Sequence, residues 1–178
     1  MNLVHDIPLG ENGKYINTIV EIPRGSMNKT EYNADTGMFV LDRVEPAIFI
    51  KPVNYGFIPQ TLDEDGDALD TLVMTTEPVG TGVLVKAKVI GLLNFVDDGE
   101  NDHKIICVPE DDRNQGDRFN TLEDLPEAWK KQIEHHFNHY KDLKKPGSTK
   151  VEGWDGAEAA WKVIEECSQR YNKSQNNN

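Results

Sequence analysis

From Tyr15 to Val108 the chain divides into short runs rich in Ile, Val, Tyr and Thr, punctuated by Gly, Pro, Asn and Asp. Beyond Thr121 its apolar residues recur at helical spacing. Tyr15–Ile22 reads as a strand stopped by Pro23-Arg24-Gly25-Ser26. Asn28–Tyr32 and Met38–Val44 read as the arms of a β-hairpin around the turn residues Asn33-Ala34-Asp35-Thr36-Gly37. Period-two alternation then sets Lys29 and Glu31 on one face of the first arm, and Phe39, Leu41 and Arg43 on one face of the second. Further strands are predicted at Ala47–Ile50, Leu69–Thr75, Val83–Phe95 and Lys104–Val108, with a polar loop over Glu110–Gly116. Gly91, inside the longest strand, predicts a bulge or bend.

Two helices close the pattern. Thr121, with Asp124 three residues on, can cap the first, whose apolar positions are Trp129, Ile133, Phe137 and Tyr140. Asp155 can cap the second, whose stripe is Ala160, Val163, Ile164, Cys167 and Tyr171. The Asn-rich tail, Asn172–Asn178, is predicted to be disordered, which leaves one domain over residues 1–171. Many strands followed by helices predict a mainly β fold with α elements: a small closed antiparallel sheet with helices against it.

Charge narrows the functional classes. The 178 residues include 31 acids and 19 bases, a net charge of −12. Bulk electrostatics of that sign disfavours nucleic acid and anionic membrane surfaces as partners. No apolar run approaches the length of a membrane helix. Met1–Asn12 lacks the layout of a signal peptide, and Cys107 and Cys167 form no motif, so a reduced, cytoplasmic protein is expected.

The acids are not spread evenly. Asp63-Glu64-Asp65-Gly66-Asp67-Ala68-Leu69-Asp70 puts five acids within eight residues, between the apolar segments Tyr55–Pro59 and Thr71–Met74. Asp and Gly favour turns for local reasons alone, but like charges this close to buried segments need neutralising, and a hard divalent cation is the usual agent. An EF-hand does not fit: placing Gly66 at loop position six puts Leu72, not Glu, at position twelve. A second cluster, Asp97-Asp98-Gly99-Glu100-Asn101-Asp102, follows the long strand, and carboxylates from two strand ends can meet at one rim. Lys29, Arg43 and Lys104 lie in or at the ends of predicted strands, where cations are not expected without partners. Metal plus lysine and arginine suits a strongly anionic, phosphoryl-bearing substrate.

Glu64-Asp65-Gly66-Asp67-Ala68-Leu69-Asp70-Thr71-Leu72-Val73 resembles the signature of the soluble family I inorganic pyrophosphatases. The resemblance extends to Val20–Pro23, Lys29–Tyr32, Leu41–Arg43, Asn54–Pro59, Gly99–Lys104, His139–Leu143 and Lys150–Trp154. It implies a five-stranded, OB-like closed barrel with flanking C-terminal helices. It also implies Mg2+-dependent hydrolysis of pyrophosphate with more than one ion per site, and a homo-oligomer, the hexamer being the bacterial precedent. By position, Asp65, Asp70, Asp97 and Asp102 resemble metal ligands, and Asp67 the base that takes a proton from the attacking water. Lys29, Arg43, Tyr55, Lys104, Tyr140 and Lys141 resemble phosphate-holding groups. Glu21, Glu31 and Asp98 resemble supporting carboxylates.

Two departures stand out. Lys51 occupies a position that is usually tyrosine in bacterial members, which implies that one phosphate contact differs or is lost. Asp98 replaces a common glutamate and reaches less far. The competing readings are a nucleotide hydrolase and a non-enzymatic OB-type binding module. Against the first, the chain has no Gly-x-x-x-x-Gly-Lys-Ser/Thr loop and no acidic Nudix-type box; against the second stands its acidity.

Overall fold

The computed structural model describes residues 1–114 and 118–176. In chain order its strands are β1 (Gly10–Glu11), β2 (Tyr15–Ile22), β3 (Asn28–Asn33), β4 (Met38–Val44), β5 (Asn54–Phe57), β6 (Asp70–Val73), β7 (Leu84–Asp97), β8 (Glu100–Asn101), β9 (Lys104–Pro109) and β10 (Thr149–Gly156). The helices are α1 (Glu127–His139) and α2 (Ala157–Asn176). Among the described residues no helix is long and apolar enough to cross a membrane.

Five strands close on themselves: β2 pairs β5, β5 pairs β6, β6 pairs β9, β9 pairs β7 and β7 returns to β2. This is the OB-like closed arrangement expected, with one correction. Four of the five pairings are antiparallel, but β6–β9 is parallel. Directions alternate around an antiparallel ring, and five is odd, so one neighbouring pair has to run the same way. The predicted bend also forms: the β7–β9 register shifts between Val89 and Gly91. Gly56 on β5 is required by a close approach, since a Cβ there would stand 2.1 Å from the Ile19 carbonyl oxygen on β2.

The hydrophobic positions divide into two buried clusters. One packs Ile16, Leu69, Leu92 and Ile105 of the ring against Ala160, Ile164 and Cys167 of α2. The other packs Leu72, Leu93, Phe95 and Ile106 against Ile133 and Phe137 of α1. The core stripe of both helices is therefore as the spacing predicts.

Several boundaries differ. Ala47–Phe49 is a 3-10 helix, not a strand, lying between Pro46 and Pro52. Thr121 and Asp124 do form a capping box, but on a 3-10 turn over Leu122–Asp124. Leu125 precedes Pro126, which disfavours αR there, so α1 starts only after the proline. Asp155 lies in β10 and accepts a hydrogen bond from Asn94 Nδ2 at 2.7 Å instead of capping α2. The helix α2 runs on through Asn176, so residues 172–176 of the expected disordered tail are helical. Residues 177–178, and 115–116 of the expected polar loop, lie outside the described residues.

Candidate active site

The cleft is built where the hairpin β3–β4 leans over one mouth of the ring. It has a volume of about 910 Å3 and is lined by eight carboxylates and five lysine or arginine side chains. All the residues singled out by sequence line it except Asp98.

The ring supplies the floor. Parallel pairing sets Asp70 of β6 beside Lys104 of β9. Lys104 is 1% exposed and bridges the carboxylates of Asp70 and Asp102. Burial opposes its charge, but Asp70 and Asp102 outweigh that and hold its pKa above the ordinary lysine value. Tyr55, reaching from β5, donates to Asp70, and burial together with that carboxylate raises its phenol well above the usual range. Asp102 titrates above an ordinary carboxylate because of burial, with Lys104 pulling the other way.

The acidic stretch forms a tight loop on one rim. Asp63 N–H donates to the Asp67 carbonyl at 2.7 Å and Asp67 N–H to Asp65 Oδ1 at 3.0 Å; Gly66 between them adopts φ 96°. That φ lies where glycine alone is unstrained. Neither Asp65 nor Asp67 forms an ion pair among the described residues, whereas the other predicted ligands do. Burial, then Asp65, Asp70 and Glu31, raise the Asp67 pKa. The opposite rim is the β7–β8 turn. There Asp97 accepts from Tyr140 Oη at 2.9 Å and from Lys141 Nζ at 2.5 Å.

The hairpin supplies the roof. Lys29 and Arg43 are direct cross-strand partners. Lys29 pairs with Glu31 on the same face, as the alternation predicts. Glu21 of β2 accepts the Tyr32 N–H at 2.7 Å, yet burial lifts its pKa to about 8. Asp98 sits outside the cleft, 2.5 Å from Lys145 and 3.7 Å from Lys141, so it holds a cation instead of facing the cavity.

Three residues were not given these places by sequence. Asp42 lies between Arg43, at 2.6 Å, and Lys29, at 3.4 Å. Arg170 of α2 donates to the Leu62 carbonyl at 2.6 Å and stands 3.6 Å from Asp63, tying the acidic loop to the helix. Lys51, expected to lose a contact, lies in the cleft wall under three aromatic rings. Burial first, then Lys104, push its ammonium down to about 8. No periodicity marks any of the three, because each contact joins residues far apart in sequence or outside a strand face.

The family described as inorganic pyrophosphatase matches residues 18–172. The chain belongs to the inorganic pyrophosphatase family. It is 62% identical over 162 residues to an inorganic pyrophosphatase of Neisseria meningitidis serogroup B, covering 91% of this chain and 92% of that protein. A crystal structure of an inorganic pyrophosphatase from Neisseria gonorrhoeae has 62% identity and a TM-score of 0.88, with 90% of this chain and 92% of that one covered. The Thermus thermophilus inorganic pyrophosphatase structure has 41% identity and a TM-score of 0.89, with 97% and 99% covered. Members of this family are hydrolases acting on pyrophosphate, and membership implies divalent-metal dependence in general.

The donor set fits such ions. Carboxylate oxygens are the ligands that hard divalent cations take, and the lining carries more acids than bases. Among the described residues no three His, Cys, Asp or Glu side chains already converge on one centre. Asp70 and Asp102 are drawn instead to Lys104, and Asp97 to Lys141.

Proposed function

We propose that this chain hydrolyses inorganic pyrophosphate to two phosphates in a reaction that depends on Mg2+, with more than one ion per site and with Asp67 as general base. The observation that carries this reading is a single cleft with an acidic rim on two sides and five cationic side chains between. Asp65, Asp70, Asp97 and Asp102 are the residues that would hold the ions. When bound, Mg2+ lowers the pKa of water at the site and neutralises phosphoryl charge. Asp67 takes the proton of the attacking water at its carboxylate. It is the carboxylate best suited to this, because no cation engages it and its raised pKa makes it a stronger base.

Lys29, Arg43, Lys104 and Lys141 bind the phosphate oxygens, Arg43 through two nitrogens and the lysines as point charges. Tyr55 and Tyr140, held in the neutral form by burial, donate hydrogen bonds. Glu31 and Asp98 fix the cations Lys29 and Lys141 in place, and Glu21 anchors the hairpin through the Tyr32 amide. A cytoplasmic homo-oligomer, with the hexamer favoured by the resemblance, completes the reading. It is supported by two free buried cysteines and by exposed apolar side chains such as Ile48 and Val40.

Phosphate release from pyrophosphate, measured with Mg2+ and then with EDTA, tests the proposal. Turnover that appears only with Mg2+ supports it. No turnover under saturating Mg2+, or equal turnover of ATP and pyrophosphate, defeats it.

A further inference from the structure

Lys51 is the one basic residue of the cleft lining that makes no hydrogen bond or ion pair with its side chain among the described residues. It is only 9% exposed. The backbone around it is fixed: its N–H donates to the Ser26 carbonyl at 3.1 Å, and its own carbonyl accepts from Gly25 N–H at 2.8 Å. Its ammonium stands 4.5 Å from the Tyr55 ring centre, 5.3 Å from Tyr140 and 5.5 Å from Phe137. Two of those rings belong to residues placed above as phosphate donors.

Aromatic faces attract a cation, but weakly compared with the cost of taking an ammonium out of water. Lys104 stands nearby and repels it. The other four cations of the cleft are each matched by a carboxylate: Lys29 by Glu31, Arg43 by Asp42 and Glu45, Lys104 by Asp70 and Asp102, and Lys141 by Asp97. A buried cation left without a counter-charge, lining a cleft built for an anion, is compensated when that anion arrives.

We propose that Lys51 is a substrate-binding residue, its ammonium holding a phosphate oxygen of pyrophosphate between the hydroxyls of Tyr55 and Tyr140. This rests on the pyrophosphatase reading. The Tyr55–Tyr140 wall is then a three-donor subsite, with the aromatic rings keeping the Lys51 stem extended and the ammonium at the cavity surface.

The test uses Lys51→Met, which keeps the stem and removes the charge, and Lys51→Arg, which restores a charge. Charge-assisted hydrogen bonds of this kind correspond to a loss of about tenfold to a hundredfold in affinity when one partner is removed. Lys51→Met should raise KM for pyrophosphate by that factor, with a smaller change in kcat, and should weaken binding of methylene diphosphonate, a non-hydrolysable diphosphate mimic, equally in calorimetry with Mg2+. Lys51→Arg should recover most of both. A Met variant whose KM and diphosphonate affinity stay within about twofold of the parent overturns the assignment. So does a change in Tm without a change in affinity, because that marks a packing role alone. If the Met variant does not fold, the Arg variant decides: diphosphonate affinity that is unchanged relative to a Lys51→Gln protein overturns the proposal. A parent protein with no pyrophosphate turnover defeats the functional reading itself, which is a separate outcome.

Discussion

Replacing Lys104 by Met leaves two carboxylates, Asp70 and Asp102, facing each other beneath the cleft. Met is close in volume, so the cavity term is small and the perturbation is mainly one of charge. Lys104 is 1% exposed and bridges both acids. Breaking a buried pair by removing one partner costs about 3–5 kcal/mol, which for a chain of this length is a Tm lower by about 6–20 °C. The pH dependence separates charge from packing. The folded-state pKa of Lys104 is raised, so its contribution is complete below the unfolded value of about 10.4 and constant between pH 5 and 8.

The two carboxylates behave oppositely in the variant. Without the lysine, burial and mutual repulsion hold the Asp102 pKa above its unfolded value of about 3.9. Stability is therefore present below that value and lost as pH rises through the folded pKa. Thermal unfolding in EDTA should show a deficit that is larger at pH 8 than at pH 5, and added Mg2+ should recover part of it by supplying the missing positive charge. An equal deficit at both pH values, or one under about 2 °C, refutes the charge argument.

Three other outcomes are expected. Asp67→Asn should lower kcat by about 10^2- to 10^4-fold without lowering the Tm in EDTA, because no cation partner is lost; a Tm drop would show a structural role instead. Glu21→Gln should raise the metal-free Tm at pH 8 but not at pH 4. The Glu21 pKa is raised from 4.5 to about 8, so the wild-type acid loses its contribution as pH climbs through that window; a gain equal at both pH values refutes it. Arg170→Leu should loosen the acidic loop, costing about 1–3 kcal/mol from the unsatisfied Leu62 carbonyl and reducing kcat more than it changes KM, while an unchanged kcat would show that the loop keeps its shape without α2.

The local features of this fold were legible and the long-range ones were not. Alternation in Met38–Val44 and the turn residues before it are a strong local signal, and the hairpin forms where they predict. The strand β5 escapes the pattern because Pro52 and Gly56 break it; what makes it a strand is β2 and β6 on either side. The strand β10 reads as polar and glycine-bearing, and is held by its register with β7. In the site, the acid clusters announced themselves by density. That Lys104 would sit beside Asp70 depends on a parallel register between segments 34 residues apart. Lys51 lies outside any strand, so no facing rule applied to it.

The odd number of strands in the ring has a consequence for where acids can gather. Antiparallel neighbours offer opposite ends to the same rim, one chain arriving and the next departing. Only at the parallel seam of β6 and β9 do two adjacent strands both begin at one rim. The acidic loop ending at Asp70 and the β7–β8 turn ending at Lys104 are both entry loops to that seam, so both deliver their carboxylates to the same doorstep. An even-membered ring could alternate throughout and would have no such obligatory pair of shared entrances. The meeting of two distant acidic segments is thus underwritten by parity, before any side chain has made a contact.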